Sequence, residues 1–169
     1  MRYRALVILS AVMVALETTV IPYVSIGGIG PDIVGIFVAL VSMLSGRQDG
    51  LLVAVVAGFM EDMSSGQFLG LFSVVRLVIA YLAGASYQKV FEEWVLVPIV
   101  IVFVTGLAGG CLHVFLLASF GVPFGSYRVA LSTVIFQAAY SALLSPLVMS
   151  ITCRVDAYVR RVSERRKSL

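Results

Sequence analysis

Long apolar runs alternate with short gaps along this chain. Runs of this kind are typical of helices that lie in a membrane, and the glycine, proline and serine residues of the gaps favour turns. The second and third runs are short for a membrane crossing. The pattern predicts six membrane helices, at residues 5–24, 31–45, 50–63, 67–87, 94–119 and 128–152, followed by a basic tail at residues 153–169.

Composition agrees with a membrane protein. Of the 169 residues, 60% are hydrophobic and 12% are charged, and the mean hydropathy is +1.06. The gaps leave no room for a separate soluble domain, so residues 1–169 are predicted to form one integral membrane domain. The expected fold class is an all-α polytopic membrane protein, a compact bundle of six transmembrane helices.

The positions of lysine and arginine predict the orientation. In a six-span arrangement nearly all of them fall on one side, and only Arg128 lies on the other. Basic residues mark the cytoplasmic side, so both termini are expected in the cytoplasm and Glu61 and Asp62 near the outer face.

The basic tail keeps its apolar residues at helical spacing, at Val155, Tyr158, Val159 and Val162. Three interpretations remain open: the tail binds the lipids of the inner leaflet, docks on a cytoplasmic protein, or only sets the topology. Since the basic excess of +3 is concentrated here and not along an aromatic surface, nucleic acid is not an expected partner.

Small residues recur every four positions in the third run, at Gly50, Ala54 and Gly58. This spacing places them on one helix face, and Asp62 is the next position on that face. The face either packs within the chain, against the similarly spaced Gly35 and Ala39 of the second run, or receives a partner. In the second case Asp62 would contact that partner, and otherwise it would cap a helix or join a polar pocket.

Four polar residues are predicted to lie at a similar depth in the membrane: Glu17, Arg76, His113 and Gln137. A charge facing lipid at that depth costs several kcal/mol, so these side chains should turn inward, with Glu17 and Arg76 as an ion pair. The group is either an internal contact or the wall of a cavity that holds a ligand or a partner side chain. No catalytic arrangement is recognisable, so the chain is not expected to be an enzyme or to bind a cofactor or metal.

Two motifs carry a resemblance to a known family. Pro31 and Asp32 open an apolar helix, and residues 58–70 read GFMEDMSSGQFLG, with Phe59, Ser65, Gly66 and Gly70 as further motif positions. Together with YLAG at residues 81–84, they resemble the bacterial rod shape-determining protein MreD family. The resemblance in residues covers about 31 to 84.

The resemblance implies a non-enzymatic scaffold subunit of the cell-elongation machinery, located in the bacterial inner membrane. Its implied partners are the single-span protein MreC, the peptidoglycan synthase RodA with its class B penicillin-binding protein, and MreB at the cytoplasmic face. It also implies a fold similar to the substrate-binding component of energy-coupling-factor vitamin transporters. That similarity, with the pair Ala11 and Ala15 on the first helix, supplies the alternative function of a small-molecule-binding transporter component.

Overall fold

The computed structural model describes residues 2–25, 27–66, 68–86, 96–122 and 126–167, and it places side chains in residues 5–154 of these ranges. Within them the chain is helical, as the sequence predicts. The helices are α1 (Arg2–Val24), α2 (Ile33–Ser45), α3 (Arg47–Ser65), α4 (Leu71–Gly84), α5 (Leu96–Ser119) and α6 (Tyr127–Lys167).

α2 lies at the centre of the bundle, and the five other helices surround it. α2 packs against each of the other helices, which touch one another in the closed order α1, α3, α4, α5, α6 and back to α1. The ten residues from Val34 to Met43 are all buried. A helix that is apolar on every side is expected in such a central position. α2 is therefore the core of the bundle.

The outer surface of the bundle is apolar and its interior holds charges. One exposed apolar stripe follows α1 at every fourth residue, at Ile8, Val12, Leu16 and Val20. A second exposed stripe follows α3, at Leu52, Val55, Phe59 and Met63. In contrast, Glu61, Asp62 and Arg76 are at most 7% exposed. Soluble proteins show the opposite arrangement, with charges outside and apolar residues inside. A lipid environment favours the arrangement seen here, since lipid solvates apolar groups and not charges.

Three helices within the described residues are long and apolar enough to cross a membrane: Ala5–Val24, Leu96–Ser119 and Tyr127–Arg154. α2 has 13 residues and α4 has 14, so each is about 20 Å long, against roughly 30 Å of bilayer hydrocarbon. α3 is longer but carries charges at both ends. The chain is thus a membrane protein with three helices that are long and apolar enough to span the bilayer and three that are shorter or more polar.

Several predicted boundaries differ from the helices. α3 begins at Arg47 and includes the polar residues before the apolar run, and α6 continues without a break from the sixth run to Lys167. The tail is therefore a continuation of α6, although its side chains beyond residue 154 lie outside the described residues. Gln67, Tyr87 and Trp94, the expected ends of two runs, also lie outside them.

Pro146 lies inside α6 without ending it. A proline has no N–H, so the carbonyl of the residue four positions earlier has no helical donor. For Pro146 this is the carbonyl of Ala142. The buried hydroxyl of Ser145 donates to that carbonyl at 2.7 Å. Such a side-chain donor allows a membrane helix to contain proline.

Candidate functional site

A cavity of about 420 Å³ lies at the amino-terminal end of α2. Because α2 is much shorter than α5 and α6, the longer helices extend past its first residue and enclose the space beyond it. Side chains of α1, α4, α5 and α6 form the wall. All four polar residues predicted to share one depth contribute to it, namely Glu17, Arg76, His113 and Gln137.

Asp32 connects three helices at the base of this cavity. Its side chain accepts a hydrogen bond from the N–H of Gly35 at 2.6 Å, which makes it the N-cap of α2. Its other carboxylate oxygen binds Nη1 of Arg76 in α4. Its own N–H donates to Oγ of Ser141 in α6 at 2.9 Å. Pro31, expected as the first helical residue, lies before this cap and is buried.

Glu17 reaches from α1 to the same helix end. Its Oε2 accepts a hydrogen bond from the N–H of Val34 at 2.7 Å. The predicted ion pair with Arg76 exists but is long, with 3.9 Å between Oε1 and Nη2. Two carboxylates therefore face the first turn of α2, where the helix dipole stabilises negative charge.

Glu61 is the main partner of Arg76. This pair was not predicted from the sequence. Its two oxygens accept from Nε at 2.7 Å and from Nη2 at 2.6 Å, a two-point contact between α3 and α4. Glu61 was expected near the outer face with Asp62, with no partner predicted for it inside the bundle, and in the structure its side chain is 7% exposed and binds Arg76. Arg76 is thus shared among Glu61, Asp32 and Glu17, and it draws four helices together.

Asp62 caps α4 from the end of α3. Its carboxylate accepts from the N–H of Phe72 at 2.8 Å and from the N–H and hydroxyl of Ser73 at 3.2 and 2.6 Å. The N-cap position of α4 is Gly70, which has no side chain to do this. Asp62 is 1% exposed, so direct contact with a partner would require these bonds to break.

The small-residue face of α3 packs inside the chain. A Cβ added at Gly50 would meet the Ser42 side chain of α2, and one added at Gly58 would lie 2.5 Å from Cα of Ser73 in α4. Ala54 is fully buried. The face therefore allows two neighbouring helices to approach, and it contacts α2 near Ser42.

The remaining motif residues shape the turn between α3 and α4. Gly66 ends α3 in the left-handed conformation with φ of 62°, and its N–H donates to the Asp62 carbonyl. Gly70 has φ of 95° and precedes α4. The hydroxyl of Ser65 also donates to the Asp62 carbonyl. Phe59, in contrast, is 54% exposed on the outer stripe of α3. Among residues 58–70, Phe59, Met63 and Leu69 are the motif residues that offer a large apolar surface to lipid or a partner, and Phe59 is the aromatic one among them.

His113 and Gln137 complete the polar part of the cavity wall. The His113 ring packs at a tilt against Phe72, with 5.0 Å between ring centroids. Neither side chain makes a hydrogen bond to another residue that the structure describes, and Oε1 of Glu17 likewise has no described donor within hydrogen-bond distance. The cavity thus offers donors and acceptors to an occupant. It contains no nucleophile paired with a base.

Comparison with known proteins identifies the family. The chain matches the family described as rod shape-determining protein MreD over residues 1–154. Neither the curated proteins nor the solved structures contain a match. Since the match extends from α1 into α6, well beyond the motifs of residues 31–84, it covers every helix that builds the cavity. The chain belongs to the MreD family, whose members take part in determining the rod shape of bacterial cells.

Proposed function

We propose that this chain is a non-enzymatic scaffold subunit of the cell-elongation complex in the bacterial inner membrane. It binds MreC and through the complex supports peptidoglycan synthesis by RodA and its class B penicillin-binding protein, with MreB at the cytoplasmic face. The family match over residues 1–154 carries this proposal. The buried charged residues support a structural role, because Arg76, Glu61 and Asp62 bind other parts of the chain.

We further propose that all six helices cross the membrane and that both termini are cytoplasmic. The central position of α2 supports this, since a helix enclosed by five others shares their environment. The transporter-component alternative receives no support from the family match and is not proposed.

The scaffold needs a surface for its single-span partner, and the small-residue face of α3 is already occupied inside the chain. We place the contact on the opposite, exposed stripe of α3, around Phe59. Phe59 is a motif residue with an aromatic side chain that is 54% exposed and takes no part in the α3–α4 turn. Aromatic side chains that bury a large area contribute strongly to interfaces.

Co-purification of tagged MreC tests the proposal. Phe59→Ala should lower MreC recovery several-fold, whereas Phe136→Ala, a matched change at a 64% exposed position of α6, should leave it unchanged. Equal recovery with both variants would remove Phe59 from the contact. If the unmodified chain recovers no MreC and does not restore rod shape to cells that lack their own family member, the scaffold function itself is wrong.

A further inference from the structure

The cavity at the amino-terminal end of α2 has the properties of a binding site. Its volume of about 420 Å³ lies within the range of roughly 300–1,000 Å³ that small-molecule sites occupy. The cavity is only partly enclosed, so it communicates with the surroundings of the protein, and Glu17 and Asp32 keep 23% and 22% of their side-chain surface accessible within it. A molecule can therefore reach its polar end.

The polar end is electronegative. Three carboxylates, those of Glu17, Asp32 and Glu61, surround the single guanidinium of Arg76. The first turn of α2 contributes only about half a positive charge. If all three carboxylates are ionised, more than one negative charge in this cluster is left without compensation. Such an excess is costly away from water, and either a proton or a bound cation removes it.

Three of the five N–H groups of Arg76 are engaged, since its Nε and Nη2 donate to Glu61 and its Nη1 binds Asp32. The carboxylates around the guanidinium disfavour an anion beside it. The side-chain groups in the cavity wall that make no described hydrogen bond are Oε1 of Glu17, the imidazole of His113 and the amide of Gln137. Two of the three present acceptor oxygens, and an N–H donor with a positive charge matches them best.

Apart from the hydroxyl groups of Thr133 and Ser141, the rest of the wall is apolar. Phe72 and Val75 of α4, Val114 of α5 and Val134 of α6 line the space beside the polar groups. Such a wall accommodates a hydrocarbon portion attached to the polar group, since apolar surface in contact with these residues is removed from water. The occupant is thus amphiphilic or carries a short carbon chain.

We propose that this cavity binds a primary ammonium group, which donates to Oε1 of Glu17 and to the amide oxygen of Gln137. Two sources share this chemistry: the head group of an aminophospholipid that enters from the bilayer, and a free small amine. The proposal does not rest on the scaffold function, because it concerns binding by the isolated chain.

Thermal unfolding of the purified chain in detergent tests it with two probes, ethanolamine and phosphatidylethanolamine. Ethylene glycol and phosphatidylglycerol serve as the matched compounds without an amine. At about one hundred times Kd, a bound amine should raise Tm by roughly 5 °C or more, whereas the matched compounds should not. A rise with the lipid alone assigns the aminophospholipid, and a rise with ethanolamine assigns a free amine.

Glu17→Gln is the deciding variant, because it keeps an oxygen that accepts from the N–H of Val34 and removes only the charge. It should fold with a similar ligand-free Tm and lose most of the shift, and Gln137→Ala should reduce the shift. Two results would overturn the proposal: no amine-dependent shift in the unmodified chain, or an equal shift in Glu17→Gln. The outcome is independent of MreC recovery, so it is separable from the fate of the scaffold proposal.

Discussion

Arg76 is the residue on which most of the buried charges depend. Its removal would leave three carboxylates without a cation, and breaking a buried pair in this way costs roughly 3 to 5 kcal/mol. The three partners are unequal: Glu61 makes two bonds of 2.6 and 2.7 Å, whereas Glu17 lies at 3.9 Å. We therefore expect Arg76→Ala to destabilise the chain strongly, and Glu61 to be its dominant partner.

Two double-mutant cycles, measured by unfolding in detergent, separate these contributions. The interaction energy between Glu61 and Arg76, with Glu61→Gln and Arg76→Gln, should exceed 1 kcal/mol, within the range of about 0.5–3 kcal/mol for residues in contact. The cycle for Glu17 and Arg76 should give a clearly smaller value. A larger energy for the Glu17 pair would contradict the arrangement in the structure.

Sequence reasoning identified some of these residues and missed the partners of others. Depth along a helix follows from 1.5 Å per residue, and it grouped Glu17, Arg76, His113 and Gln137, which all line one cavity in the structure. Depth alone does not tell which helices are neighbours. Glu61 was assigned to the outer face with Asp62, and its contact with Arg76 follows only from the packing of α3 against α4.

At the scale of the element, the positions of the helices were predictable from the sequence, because apolar runs and turn residues mark them. The packing of the helices against one another was predictable only in part. The spacing of Gly50, Ala54 and Gly58 correctly indicated a close-packing face. It did not tell that Gly58 contacts α4, since small residues allow approach by any helix. The central position of α2 is visible in its uniformly apolar sequence, but its closed ring of neighbours is a property of the whole chain.

The contact of α3 with α4 at Gly58 predicts a sharp effect of one methyl group. A Cβ there would lie 2.5 Å from Cα and 2.8 Å from N of Ser73, both backbone atoms in the turn that Asp62 caps. Because backbone cannot rotate away, Gly58→Ala should separate the helices and destabilise the chain by about 1–3 kcal/mol. Unfolding in detergent would measure this loss.

Gly106→Ala is the matched control within α5. A Cβ at this position would lie 3.5 Å from Cβ of Ala138, an ordinary contact. The higher helix propensity of alanine should make this variant neutral or slightly more stable, by up to about 1 kcal/mol. If both variants lose the same stability, the close approach at Gly58 is not the cause.

At the scale of the whole molecule, two topologies are compatible with the lengths of the helices. If only the long helices α1, α5 and α6 cross the membrane, residues 25–95 stay on one side and the termini lie on opposite sides. If all six cross, the gap before α3 lies on the side of the termini and the gap before α6 lies opposite. The enclosure of α2 by all other helices favours six crossings, because α2 then shares the depth of its neighbours.

Gln48 and Ser126 distinguish these topologies, since both are exposed and lie at the start of α3 and just before α6. With Cys111 and Cys153 replaced by serine, Ser126→Cys should react with an impermeant maleimide in intact cells. Gln48→Cys should react only after the cells are permeabilised, which also shows that its thiol is reactive. The three-crossing topology with a cytoplasmic amino terminus predicts the reverse, because Gln48 would then lie outside and Ser126 inside. Labelling of Gln48→Cys in intact cells would therefore exclude the six-span arrangement with cytoplasmic termini, and with it the expectation drawn from the lysines and arginines.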